Sequence, residues 1–154
     1  MFNLDLAIKF GSSEISVYKK GVGIIAKEPA YLAVIENGKK IKVQAVGKEA
    51  EELFHSKSSN VTVYQPIVNG VVENEKMCVL LLSEIVNKCM AKKGIMQMVS
   101  AIVAVPSGLN DDQLKQLKHI FHQCGINKVT FVINAVCAYA NLEMDKKSHI
   151  MVVD

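Results

Sequence analysis

Residues 99–133 carry the decision about the fold. They open with Val99-Ser100-Ala101-Ile102-Val103-Ala104-Val105 and turn at Pro106-Ser107-Gly108. Asn110 to Cys124 follows, carrying Leu114, Leu117, Ile120, Phe121 and Cys124, then Gly125, and the stretch closes on Lys128-Val129-Thr130-Phe131-Val132-Ile133. The first run is almost unbroken in its apolar character, which predicts a central strand buried on both faces. The spacing of the second segment predicts a helix capped by Asn110 or Asp111 and ended by Gly125. Lys128 to Ile133 reads as a second strand, Ala135 to Met144 as another helix, and Ile150 to Val153 as the start of a last strand. Strand, helix, strand, helix, strand implies parallel pairing with right-handed crossovers.

Upstream the period is different. Leu4, Leu6, Ile8 and Phe10 alternate with Asp5, Ala7 and Lys9, and Ile15 and Val17 alternate with Ser16 and Tyr18 after the polar Gly11-Ser12-Ser13-Glu14. This predicts a β-hairpin with a short turn. A third strand is expected across Gly23 to Lys27, and Tyr31 to Glu36 and Ile41 to Val46 flank Asn37-Gly38, a strong hairpin signal. Lys48 to His55 reads as a short helix, and Val61 to Val72 as extended chain interrupted by Pro66 and Gly70. Asn74 is placed to cap a long helix reaching about Met90, with Met77, Leu81, Ile85 and Cys89 on its apolar face. The expected fold is therefore α/β: a mixed sheet of antiparallel hairpins followed by parallel βα units, with helices on both faces.

Composition sets the broad class. The 154 residues suffice for one domain with a real core, and 50% apolar with 21% charged residues is a globular balance. A formal net charge of +3 does not predict nucleic acid as a partner, and no aromatic residues interleave with the paired lysines. Cys78, Cys89, Cys124 and Cys137 fall in apolar periodic segments without CxxC spacing, so buried, reduced thiols are expected. The first residues lack a basic region followed by an apolar run, and no stretch has the roughly 18 apolar residues of a membrane span. A cytoplasmic, soluble protein is the expectation.

Val105-Pro106-Ser107-Gly108, the helix after it, Gly125 and the strand Val129 to Ile133 resemble the corresponding stretch of the MreB/Mbl family of bacterial actins. Asp5-Leu6-Ala7-Ile8, Gly21-Val22-Gly23-Ile24, Glu28-Pro29, Ala45-Val46-Gly47-Lys48-Glu49-Ala50 and Pro66-Ile67-Val68-Asn69-Gly70-Val71-Val72 follow the same family in order and spacing. The resemblance implies a ribonuclease H-like, actin-type ATPase domain. It also implies one N-terminal lobe over 1–154, with a small inserted hairpin and short helix around 28–60 and the second lobe absent.

The resemblance makes Gly11, Ser12, Ser13 and Glu14 the candidate nucleotide-binding turn, together with Asp154 at the opening of a second phosphate motif whose glycines would follow. Gly11 keeps the backbone permissive and Ser12 keeps a hydroxyl where the family has Thr. Lys9 stands where the family has an acid that organises magnesium and water, and an ammonium group has only donors to offer. It either contacts phosphate as a point charge or is solvated at a dead site. A second acid, which positions the attacking water in the family, is missing at Asn134-Ala135. Its loss removes a general-base contribution of about 10²- to 10⁴-fold. Asn134 itself is expected to cap the helix after it. The implied cofactor is ATP, held weakly, with magnesium not expected, and no catalytic or metal-binding residue is assigned.

His119, His122 and Cys124 lie close on one helix, but without a second cluster they read as its polar face. In Lys92-Lys93-Gly94-Ile95-Met96-Gln97-Met98, three large apolar residues, Ile95, Met96 and Met98, stand beside two lysines. They predict either a membrane-contacting loop at an anionic inner membrane surface or a cover over a neighbouring strand. Three function classes follow. The first is a cytoskeletal, cell-shape protein that self-associates or co-polymerises with a related actin. The second is an active ATPase in which Lys9 has taken over catalysis, and the third an interaction module keeping only the scaffold.

Overall fold

The structure, a computed structural model, describes residues 3–56, 60–90, 98–140 and 151, with the backbone alone at Asn3 and Leu4. Three antiparallel strands, β1 (Asn3–Phe10), β2 (Glu14–Lys19) and β3 (Gly23–Pro29), come first. Then β4 (Leu32–Asn37), β5 (Lys40–Val46), α1 (Lys48–Ser56) and β6 (Thr62–Tyr64) build a separate three-stranded sheet in the order β5-β4-β6. The hairpin β7 (Ile67–Val68) and β8 (Val71–Val72) leads into α2 (Glu75–Cys89). The chain continues through β9 (Met98–Val105), α3 (Asp111–Gln123), β10 (Lys128–Ile133) and α4 (Asn134–Ala140).

The main sheet has the order β10-β9-β1-β2-β3. Pairing is antiparallel between β1 and β2 and between β2 and β3, and parallel from β1 to β9 and β9 to β10. This is the mixed sheet that the switch from alternation to βα units predicts. Asn74 Oδ1 accepts from Met77 N–H at 3.2 Å to cap α2, and Asn110 and Gln113 form a reciprocal capping box on α3.

One face of the sheet holds the core. Leu6, Ile8 and Phe10 of β1, Ile15 and Val17 of β2, and Val99, Ala101, Val103 and Val105 of β9 are buried there beneath Leu81, Leu82 and Ile85 of α2 and Leu117, Ile120 and Phe121 of α3. Phe10 meets Phe121 edge to face, ring centroids 5.8 Å apart, a geometry favoured by the ring quadrupoles.

Two sequence expectations need correction. The strand β9 alternates in burial, with Ile102 52% exposed, so it is covered on one face instead of two. An apolar run does not distinguish a doubly covered strand from one whose second face is open. Of the cysteines, Cys78 and Cys124 are buried, Cys89 is half-buried and Cys137 is exposed on α4, because no residue of that helix is buried. The helix expected over Ala135 to Met144 is described as Asn134–Ala140, and the rest of it, like the strand expected at Ile150 to Val153 apart from Met151, lies outside the described residues. Among the described residues, no helix is long and apolar enough to cross a membrane.

Candidate functional site

Parallel strands gather the ends of β1, β9 and β10 at one edge of the sheet, where Lys9 pairs with Ala104 and Val105 with Ile133. Ligands of open α/β sheets bind beyond the carboxyl ends of such strands. The turn Gly11 to Ser13 projects from that edge, as do Pro106-Ser107-Gly108 and Asn134, the first residue of α4.

Three loops meet there. Ser12 Oγ accepts a hydrogen bond from Gly70 N–H at 2.7 Å, which ties the β1–β2 turn to the β7–β8 turn 58 residues away. Gly70 has φ +77°, and a Cβ on it would run into Pro106 of the β9–α3 loop. Asn69 before it also lies at positive φ, 49°, a region that Asn enters more readily than other side chains. Gly11 is held by space: a Cβ there would stand 2.8 Å from Glu14 O.

Of the sequence-predicted site residues, the structure brings Gly11, Ser12 and Ser13 to this junction. Ser13 is exposed and its carbonyl accepts from Ala30 N–H at 3.0 Å. Glu14 turns elsewhere: its carboxylate accepts from Ser16 Oγ at 2.9 Å and meets Lys27 Nζ at 3.5 Å. Lys9 is exposed, on the open face opposite the core, directly across from Ser16. Asp154 lies outside the described residues. Asn134 opens α4 with its side-chain oxygen buried.

Sequence reading did not find Gly70, whose amide is the partner of Ser12. The signal was present in Asn69-Gly70, an Asn-Gly pair between Val68 and Val71, which is hairpin-turn chemistry.

The junction presents a hydroxyl, backbone groups and an exposed glycine at Gly108, which suit a phosphate. A magnesium ion would find no carboxylate at Lys9, and that of Glu14 is already engaged by Ser16 and Lys27. Among the described residues, those at the junction thus fit phosphate better than a magnesium phosphate.

The helix pair His119 and His122 does not gather with Cys124. His119 Nε2 lies 2.6 Å from Gln123 Nε2, while the Cys124 thiol points to α2, near Ser83 Oγ at 3.4 Å and Val79 O at 3.7 Å. Burial pushes the Cys124 thiol up, opposed by the Ser83 hydrogen bond, and pushes Cys78 up to about 12. At the far edge, Met98 begins β9 and is 42% exposed; Ile95 and Met96 lie outside the described residues.

The family model described as MreB/Mbl protein matches residues 3–154. The chain belongs to the MreB/Mbl family. It is 27% identical to the cell shape-determining protein Mbl of Bacillus subtilis and 24% identical to the cell shape-determining protein MreB of Escherichia coli, all of this chain being covered in both cases. The chain spans about half the length of these curated relatives, 46% in each. Among solved structures, MreB5 of Spiroplasma citri bound to ADP superposes with a TM-score of 0.78 at 22% identity, over 92% of this chain and 42% of that one. The MamK double helical filament superposes with a TM-score of 0.68 at 17% identity, over 86% and 41%. At these identities the likeness establishes the actin-like fold.

Proposed function

We propose that this MreB/Mbl chain is a cytoplasmic, actin-like component of cell-shape determination, self-associating or co-polymerising with a related actin, and that it holds ATP weakly and hydrolyses it poorly. The observation that supports the reading is the turn Gly11 to Ser13 at the carboxyl ends of the parallel strands, tied by Ser12 Oγ to Gly70 N–H, with a lysine and no carboxylate at residue 9 beside it. Ser12 and Gly11 stand at the mouth, whereas Lys9 occupies the strand position of the family's acid and Glu14 is engaged by Lys27 and Ser16. Without a carboxylate, neither a hard cation nor an attacking water is organised at β1. Self-association is supported by the likeness to MamK, solved as a double helical filament.

Contact with an anionic membrane surface belongs to the same reading, through Ile95, Met96 and Met98 beside Lys92 and Lys93. Exposure of Met98 at the start of β9 supports it.

Titrating the protein with a fluorescent ATP analogue, with and without magnesium, and following phosphate release tests the nucleotide reading. Weak binding indifferent to magnesium is expected, with no release above background. Steady turnover abolished by Lys9→Ala would overturn it in favour of an active ATPase.

A further inference from the structure

The separate sheet β5-β4-β6 is entered and left through two short connections. Ala30-Tyr31 runs from β3 into β4, and Gln65-Pro66 runs from β6 into β7. Leu32 pairs with Tyr64, so the two connections lie side by side, the arrangement of a hinge. Each is tied to the larger part of the fold. Ala30 N–H donates to Ser13 O at 3.0 Å in the β1–β2 turn, and Pro66 O accepts from Glu73 N–H at 3.0 Å just before α2.

Glu28 reaches across this hinge. Helix α1 of the small unit begins at Gly47, whose carbonyl accepts the first helical bond, from Glu51 N–H at 3.0 Å. A glycine has no side-chain oxygen to offer the unpaired amides of the first turn. Glu28, half-buried near the end of β3, supplies one from the main sheet, its Oε2 accepting from Lys48 N–H at 3.3 Å. A Cβ on Gly47 would run into that carboxylate, so the missing side chain is also what admits it. The helix dipole favours a negative charge at this end. Gly47 N–H donates in turn to Tyr31 O at 2.9 Å, in the first connection.

We infer that Glu28 is a latch: its carboxylate holds α1, and with it the β5-β4-β6 unit, against the main sheet, and its release lets that unit swing intact about the two connections. Ser13, Ala30, Tyr31 and Gly47 form one line of backbone contacts from the β1–β2 turn to the start of α1, and Glu28 closes the line at Lys48. The angle of the small unit and the set of the Ser13 turn are therefore coupled, and the coupling needs no nucleotide. The latch is internal, a contact between two elements of this chain.

Amide hydrogen exchange of the ligand-free protein, read residue by residue by NMR, tests this. In the parent, the amides of Ala30, Gly47 and Lys48 are expected to exchange through one shared opening. Relative to intrinsic rates, they should be about tenfold or more faster than those of Ala101 and Val103 in β9. Amides paired between β4 and β5 keep their protection, because the unit swings whole. Glu28→Ala should speed Ala30, Gly47 and Lys48 by about fivefold, the effect of a lost helix cap, and leave β9 unchanged. Glu28→Gln keeps an oxygen of the same reach without the charge and should speed them by about twofold. The inference is overturned if the three amides of the parent exchange only together with β9, or if β4 and β5 open along with them. It is overturned too if Glu28→Ala changes nothing, speeds every amide equally, or speeds Lys48 alone, which would make Glu28 a cap and no more. Should Glu28→Ala fail to fold, the parent profile and Glu28→Gln decide the question.

Discussion

Ser12 Oγ and Gly70 N–H are 2.7 Å apart, and that bond joins two turns that have no backbone pairing with each other. The hydroxyl oxygen accepts from the amide, and its proton remains a donor for a ligand at the mouth of the site. The loop that would hold phosphate is therefore held in turn by the β7–β8 hairpin, and Pro106 closes the junction behind Gly70.

Removing the acceptor should be measurable. Ser12→Ala leaves a half-buried amide without its partner and is expected to cost about 1–2 kcal/mol in urea unfolding, while Ser12→Thr should cost less. Gly70→Ala should be worse than Ser12→Ala, since it adds strain at φ +77° to a clash with Pro106. If Gly70→Ala is tolerated better, the junction is not packed as described.

Charge at β1 gives a second outcome. Lys9→Asp restores a carboxylate at the strand end, and one charge-assisted contact is worth about 1.5–3 kcal/mol, or roughly ten- to a hundredfold in affinity. The gain should appear for ATP with magnesium and not for ATP in chelator, read by titration with a fluorescent nucleotide. An equal change in both conditions would mean that the acid acts on the phosphates and organises no metal.

Local chemistry made much of this fold legible. The alternation of Leu6, Ile8 and Phe10 marks β1, and Asn74 and Asn110 mark the starts of α2 and α3 because their caps are local bonds. Pairings between distant residues were not legible. Val61 to Val72 reads as one extended run, yet it divides into β6, which joins β4, and the β7–β8 hairpin, whose turn reaches Ser12. Ile102 reads as core because the sequence around it is apolar, and only the assembled sheet leaves it open. At the candidate site, Gly11 and Ser12 were singled out by the family resemblance of their turn, whereas the Gly70 amide is a backbone group with no side-chain signature.

The buried thiols fix a pH dependence. Burial pushes Cys78 up to about 12, so above the ordinary thiol value the unfolded chain loses a proton that the folded chain keeps. Stability is then full below about pH 8.5 and falls as pH rises towards 12, by at most about 1.4 kcal/mol per pH unit from this group. Cys78→Ala should flatten the alkaline limb of a urea-midpoint profile relative to the parent. In the native state at pH 8, Cys137 should react first with a thiol reagent and Cys78 and Cys124 only on unfolding, which mass spectrometry of the labelled peptides would read.

The membrane contact makes the last prediction. Met98 is the described member of the Ile95, Met96 and Met98 group, and it stands exposed at the edge of the sheet opposite the candidate nucleotide turn. Insertion of apolar side chains at an interface returns about 25 cal/mol per Å² buried, so three such residues give a few kcal/mol before ordering costs, which is marginal for a monomer. Each neighbouring lysine adds on the order of 1 kcal/mol at an anionic surface, and that share is screened by salt. Self-association would multiply the contacts and convert marginal binding into firm binding. Sedimentation with anionic liposomes should therefore pellet the parent more at low salt and at higher protein concentration. The variant Ile95→Ser, Met96→Ser, Met98→Ser should stay in the supernatant, and Met98→Ser alone should fall between. Equal pelleting of parent and triple variant would assign these residues to covering a neighbouring strand, and the membrane contact would be withdrawn.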